Sequence, residues 1–223
     1  MPKALRIVAF EEVDSPILEP VTKFGGQPVW LEEPTWPLHP ETSLPLAFLA
    51  QVKLEPEIFG NIASQMAYIF FNDIGWETAV VLQPGRFDGL HSDAAIGPST
   101  QRDGEPAPEF GVRLEPVEEP EYVPQKAGRE WTDEEFKAYQ APLEFNKVGG
   151  TPAVFDEWHD FPDDDPEDWR LILQLYSCEV GARSLESNQV YLQVPFDVLY
   201  GDGGCGWVWL SKNGEEARMT VYG

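Results

Sequence analysis

A mainly β, α+β fold is predicted here, with an internally duplicated β-sheet core and a few short helices, and three observations predict it. The first is a repeat: Lys23-Phe24-Gly25-Gly26-Gln27-Pro28 returns as Lys147-Val148-Gly149-Gly150-Thr151-Pro152, and an aromatic-Pro pair follows each copy, Trp36-Pro37 and Phe161-Pro162. The second extends it. Each copy reaches an apolar run holding one glutamine, Gln51 in Phe48 to Val52 and Gln174 in Leu171 to Leu175, 25 and 24 residues after the second glycine. Four landmarks in register point to a duplicated structural unit. The third is composition: 21 Pro and 19 Gly in 223 residues interrupt long helices, while 13% aromatic residues supply a rigid core. One continuous core is feasible at this length. A single domain is therefore expected over 1–223, with pseudo-repeats at about 23–82 and 147–222.

Along the chain, Ala4 to Phe10 is apolar apart from Arg6 and is expected as an opening strand. Lys23 to Gly26 forms a turn, since glycine accepts φ > 0. Pro28 to Leu31 is extended, and Glu32 to Pro45 is a Pro-rich loop. Leu46 to Leu54 is a buried strand, Pro56 to Ser64 a short helix with proline in its first turn, and Ala67 to Phe71 and Thr78 to Leu82 a strand pair. Glu105 to Pro124 holds six glutamates and five prolines, with Arg113 its only base. It is expected as an extended, solvated connector in which Phe110, Val112 and Leu114 alternate like an edge strand. Thr132 with Glu135 three residues on is a capping-box signature for a helix through about Gln140. In the second unit, strands are expected at Leu171 to Tyr176, Gln189 to Val194, Val198 to Tyr200, Trp207 to Leu210 and Ala217 to Tyr222. Turns fall at Gly201 to Gly204 and at Asn213-Gly214.

The formal charge is −24, from 39 acidic and 15 basic residues. Such a field repels nucleic-acid phosphates and anionic membrane surfaces, and suits a basic protein partner, a cation, or plain solubility. Met1 to Phe10 lacks a secretory signal pattern, and no stretch is apolar enough for a membrane span. Cys178 and Cys205 are far apart and in no CxxC pattern. Two reduced thiols in a cytosolic protein are expected, with a single disulfide as the alternative.

Lys23-x-Gly25-Gly26-x-Pro28-x-Trp30, Trp36-Pro37 and Pro45-Leu46-x-Phe48-Leu49-Ala50-Gln51-Val52 together resemble the signature of the YwqG-like family, a bacterial domain of unknown function. Leu171 to Leu175, and Gly201-Asp202-Gly203-Gly204 through Trp209, are similar to that family's later motifs; residues 85–145 are not. The resemblance implies an α+β fold on an internally duplicated sheet and brings no catalytic residues. Such families are often encoded beside bacterial toxin systems, which implies immunity or antitoxin roles for some members.

The candidate sites follow. The motif residues Gly25, Gly26, Pro28, Gly149, Gly150 and Pro152 lack the Lys-Ser/Thr of a phosphate loop and the third glycine of a dinucleotide fingerprint, so they are structural turns. Gln51 and Gln174 each tether a neighbouring loop, or else form a ligand site between the repeats. Asp156, Glu157, Asp160, Asp163, Asp164, Asp165, Glu167 and Asp168 are eight acids within thirteen residues, interleaved with Trp158, Phe161 and Trp169. Pro162 and Pro166 break a calcium-loop pattern, leaving a solvated loop or an acidic docking surface with aromatic anchors. His39, His91 and His159 are scattered, and Ser99, Ser184 and Ser187 sit in no nucleophile motif. No catalytic residue, cofactor or metal is expected. The functional expectation is an immunity protein that neutralises a toxin, a nuclease with a basic DNA-binding surface, by occupying it with carboxylates and aromatics. The alternatives are a small-molecule or peptide sensor near Gln51 and Gln174, and a metal-dependent hydrolase.

Overall fold

The structure, a computed structural model, describes residues 3–72, 77–85, 96–102, 104–123, 131–154, 160–164, 167–176, 194–196, 198 and 204–222. The strands are β1 (Lys3–Glu12), β2 (Lys23–Phe24), β3 (Ala47–Lys53), β4 (Met66–Asn72), β5 (Glu77–Gln83), β6 (Gln101–Arg102), β7 (Glu105–Pro106), β8 (Phe110–Glu118), β9 (Lys147–Gly149), β10 (Trp169–Tyr176), β11 (Cys205–Ser211) and β12 (Ala217–Tyr222). Helices are α1 (Pro56–Phe59) and α2 (Asp133–Gln140). The fold is mainly β, as predicted.

Ten strands form one antiparallel sheet in the order β12-β11-β10-β9-β1-β8-β2-β3-β4-β5. The long β1–β8 pair lies at its centre, with four strands on either side. The sheet curls until its edges touch, Thr78 Oγ1 of β5 donating to Met219 O of β12 at 3.2 Å. Side chains inside the curl form one core drawn from both halves, including Ile7, Phe24, Val52, Ile69, Leu173, Val208 and Leu210. Two further clusters sit on the outer face, each beneath a loop. Trp30, Phe48, Tyr68 and Phe70 make the first, and Phe161, Leu171, Trp207 and Trp209 the second.

β3 and β10 explain how an apolar run can hold a glutamine. Each carries a β-bulge, between Phe48 and Ala50 and between Leu171 and Leu173. The extra residue breaks the alternation, so Leu49 and Ala50, and likewise Ile172 and Leu173, all join the inner core. Phe48 and Leu171 belong to the outer clusters.

Two expectations are corrected. Glu105 to Pro124 is no connector: Phe110–Glu118 is a central strand, bonded to β1 on one side and β2 on the other. Its glutamates masked a strand because Glu115 and Glu118 are exposed while Phe110 is buried. The helix from Pro56 stops at Phe59, where Gly60 takes φ 68°. The expected strands at Gln189 to Val194 and Val198 to Tyr200 and the turn at Gly201 to Gly204 lie almost wholly outside the described residues. α2 matches its prediction, with Thr132 capping Glu135 N and the Glu135 side chain returning to Thr132 N.

Candidate functional site

The two glycine turns are built alike from their lysines upward. Lys23 and Lys147 are both fully buried. Lys23 Nζ meets Glu109 Oε1 at 2.5 Å and donates to Ile17 O at 3.0 Å. Lys147 Nζ meets Glu119 Oε1 at 2.8 Å and donates to Thr151 O at 2.5 Å. Glu109 and Glu119 flank the two ends of β8, and sequence reasoning missed both by placing them in a solvated connector. The available signal was the lysine itself, since a lysine entering a buried turn demands an acid. Burial lowers both lysine pKa values from their ordinary range, Lys147 to about 8, with the glutamate partly opposing the fall.

Glycine is required here for two reasons. Gly25, Gly26, Gly149 and Gly150 all have φ between 65° and 82°. A Cβ on Gly26 would collide with the Glu109 carboxylate, and one on Gly150 with the Glu119 carboxylate. The residue after each motif proline is then fixed at both polar groups. Val29 N donates to Gln51 Oε1 and Val29 O accepts from the Tyr68 hydroxyl, at 2.8 and 2.7 Å. Ala153 N donates to Gln174 Oε1 and Ala153 O accepts from Trp207 Nε1, at 2.8 and 3.1 Å. The glutamine nitrogens donate to Val21 O in one case and to Leu143 O and Phe145 O in the other. Both glutamines are tethers, 0% exposed.

The acidic segment is more mixed than its sequence. Asp156, Glu157, Trp158 and Asp165 lie outside the described residues, as does the side chain of Asp164. Asp160 and Phe161 are interior and so cannot be surface contacts: Phe161 packs 4.4 Å from Trp209, and Asp160 O accepts from Thr220 Oγ1. Asp163 adopts a left-handed backbone, φ 56°, a conformation aspartate tolerates. Its carboxylate forks onto Arg218 Nη1 at 2.9 Å to both oxygens, although no base lies nearby in sequence. Arg218 also donates from Nε to Glu216 Oε1 and sits 5.2 Å over the Trp169 ring. Asp168 O accepts from Lys212 N, holding the segment against the β11–β12 hairpin. Glu167 and Asp168 are exposed and Trp169 is partly buried.

Asp163, Asp168, Trp169, Lys212 and Glu216 thus line an open cleft of about 440 Å³. Three carboxylates surround one indole on a surface tied down at four points. Two of these carboxylates, Asp163 and Glu216, already hold the Arg218 guanidinium.

Among the described residues no three His, Cys, Asp or Glu side chains are grouped to hold a metal ion. Cys205 is a buried free thiol whose pKa is pushed well up by burial. His39 serves its own turn, accepting from Glu41 N and Thr42 N. His91, His159 and Cys178 lie outside the described residues. No described helix is long and apolar enough to cross a membrane. No family model, curated protein or solved structure matches the chain.

Proposed function

We propose that this chain is a cytosolic, non-enzymatic binding protein of the immunity type, which takes a basic protein partner on the acidic face around Trp169. The observation that carries this reading is Arg218. It stacks on Trp169 while forking Asp163 and pairing with Glu216, so the face already solvates an arginine in the manner a partner's arginine would need. Asp168 stays exposed beside it, and the net charge of −24 adds long-range attraction for a basic surface. The partner is a nuclease-type toxin domain whose DNA-binding surface the carboxylates occupy, in keeping with the YwqG-like resemblance. The matching lysine, glycine and glutamine contacts of the two turns support a duplicated scaffold beneath that face.

The test is affinity capture with the wild-type chain, using the product of a neighbouring toxin-like gene as bait. A basic nuclease domain should bind, with affinity falling steeply as salt is added. Replacing Asp168→Asn together with Glu167→Gln should weaken it about ten-fold, or ~1.4 kcal/mol, without changing thermal stability. A complex indifferent to both salt and these substitutions removes the proposal.

A further inference from the structure

Arg170, beside the acidic face but turned to a different cleft, has no role in the architecture just described beyond one contact. Its Nη1 donates to Phe59 O at 2.8 Å, at the end of α1. Its Nε is buried without an acceptor. No carboxylate reaches it within ion-pair distance among the described residues, whereas Lys23, Lys53, Arg102, Arg113, Lys147 and Arg218 all have one. Lys3, Arg6, Lys137 and Lys212 likewise form no ion pair among the described residues, but Arg170 alone of the five holds a buried nitrogen without an acceptor. A guanidinium carries five N–H donors, so Nη2 and the second Nη1 hydrogen remain uncommitted. Burial draws the Arg170 pKa down from its ordinary value, and no nearby acid restores it.

Arg170 lines a cleft of about 290 Å³ at the junction of α1 with the second glycine turn. Ile58, Tyr122, Trp169 and Trp209 give it apolar and aromatic walls, and the exposed Lys3 adds a second cation. The backbone of Gly149 to Thr151 closes one side, and a Cβ on Gly149 would collide with Ile58. Turn and helix are therefore in close contact. A concave, largely apolar site with a few well-placed charged groups is the usual form of a small-molecule site.

We propose that this cleft binds a small organic carboxylate with a flat apolar body. Its carboxylate forks onto Arg170, Lys3 adds a second positive charge, and its ring lies between Tyr122 and Trp169. One planar guanidinium matches a carboxylate bidentately, whereas a phosphate dianion wants more donors and meets stronger repulsion from the acidic chain. That repulsion acts at long range and is strongly screened by salt, while the close, partly buried Arg170 contact is screened much less. This site and the acidic face share Trp169 but respond oppositely to salt, and their tests at Arg170 and at Asp168 with Glu167 fail separately.

The experiment titrates benzoate against the purified chain, with benzamide as its neutral shape match, following tryptophan signals by NMR and the melting temperature. Benzoate should bind saturably with Kd at or below about 1 mM and raise Tm, and benzamide should bind at least about ten-fold more weakly. Arg170→Gln should bring benzoate down to the benzamide level. Should loss of the Phe59 contact unfold that variant, Arg170→Lys keeps the charge but not the fork, and should weaken benzoate several-fold while leaving benzamide unchanged. Added salt should leave benzoate affinity level or higher. Benzoate binding no tighter than benzamide, or benzoate affinity unchanged in the folded Arg170 variant, overturns the proposal.

Discussion

At the scale of single residues, the most consequential groups are the buried Lys147 and Glu119. Removing one member of such a pair strands the other charge, so Glu119→Gln should cost about 3–5 kcal/mol by urea denaturation, and adding Lys147→Met should recover most of it. The pH dependence follows from the lysine. Its folded pKa of about 8 lies below the ordinary 10.5, so between those values the unfolded chain holds a proton that the folded chain has lost. Stability from this group is therefore present at high pH and is lost as pH falls through about 8. The slope of unfolding free energy against pH in that window should flatten in the Lys147→Met/Glu119→Gln variant. Glycine gives a second comparison: Gly104 and Gly150 both have positive φ, but only Gly150 faces a carboxylate where a Cβ would go. Gly104→Ala should cost about 1–2 kcal/mol for the left-handed backbone alone, and Gly150→Ala clearly more. The sequence showed the glycines as turn formers, since a doubled glycine before proline has few other uses. It hid their carboxylate partners, because ion pairs between positions 23 and 109, or 147 and 119, leave no local spacing to read.

At the scale of elements, legibility tracks how local the cause is. The capping box of α2 was readable because all its atoms lie within four residues, and Thr132→Ala should cost about 1 kcal/mol, seen as faster amide exchange from Phe136 to Gln140. β8 was misread because a strand is decided by its neighbours. Glu115, Pro116 and Glu118 argue for solvent, and they are outvoted by pairing with β1 over nine positions and by the burial of Phe110. The bulges in β3 and β10 were equally invisible, although they decide which way each glutamine points. In the acidic segment, charge density was legible but orientation was not. Asp160 and Phe161 turn inward because Thr220 and Trp209 of the β11–β12 hairpin receive them.

For the molecule as a whole, the governing facts are a sheet curled until β5 meets β12 and a surface with far more acid than base. Like charges crowded onto one curled sheet repel, and unfolding relieves that repulsion by spreading them apart. Among the described residues the opposing surface attractions are Arg102–Glu12, Arg113–Glu11, Lys53–Glu55 and the pairs of Arg218 with Asp163 and Glu216, all partly or well exposed, and such pairs contribute about 0–1 kcal/mol each. Lys23–Glu109 and Lys147–Glu119 are shielded from solvent ions and change little. Repulsion therefore wins the balance. Adding sodium chloride, which shrinks the Debye length from about 30 Å at 0.01 M to about 8 Å at 0.15 M, should raise the melting temperature. Chloride is the informative salt, because sulfate would stabilise by surface exclusion whatever the charge. A melting temperature that falls over this range would mean that the exposed pairs outweigh the net charge. The long-range field invoked for capturing a basic partner would then be too weak for that role.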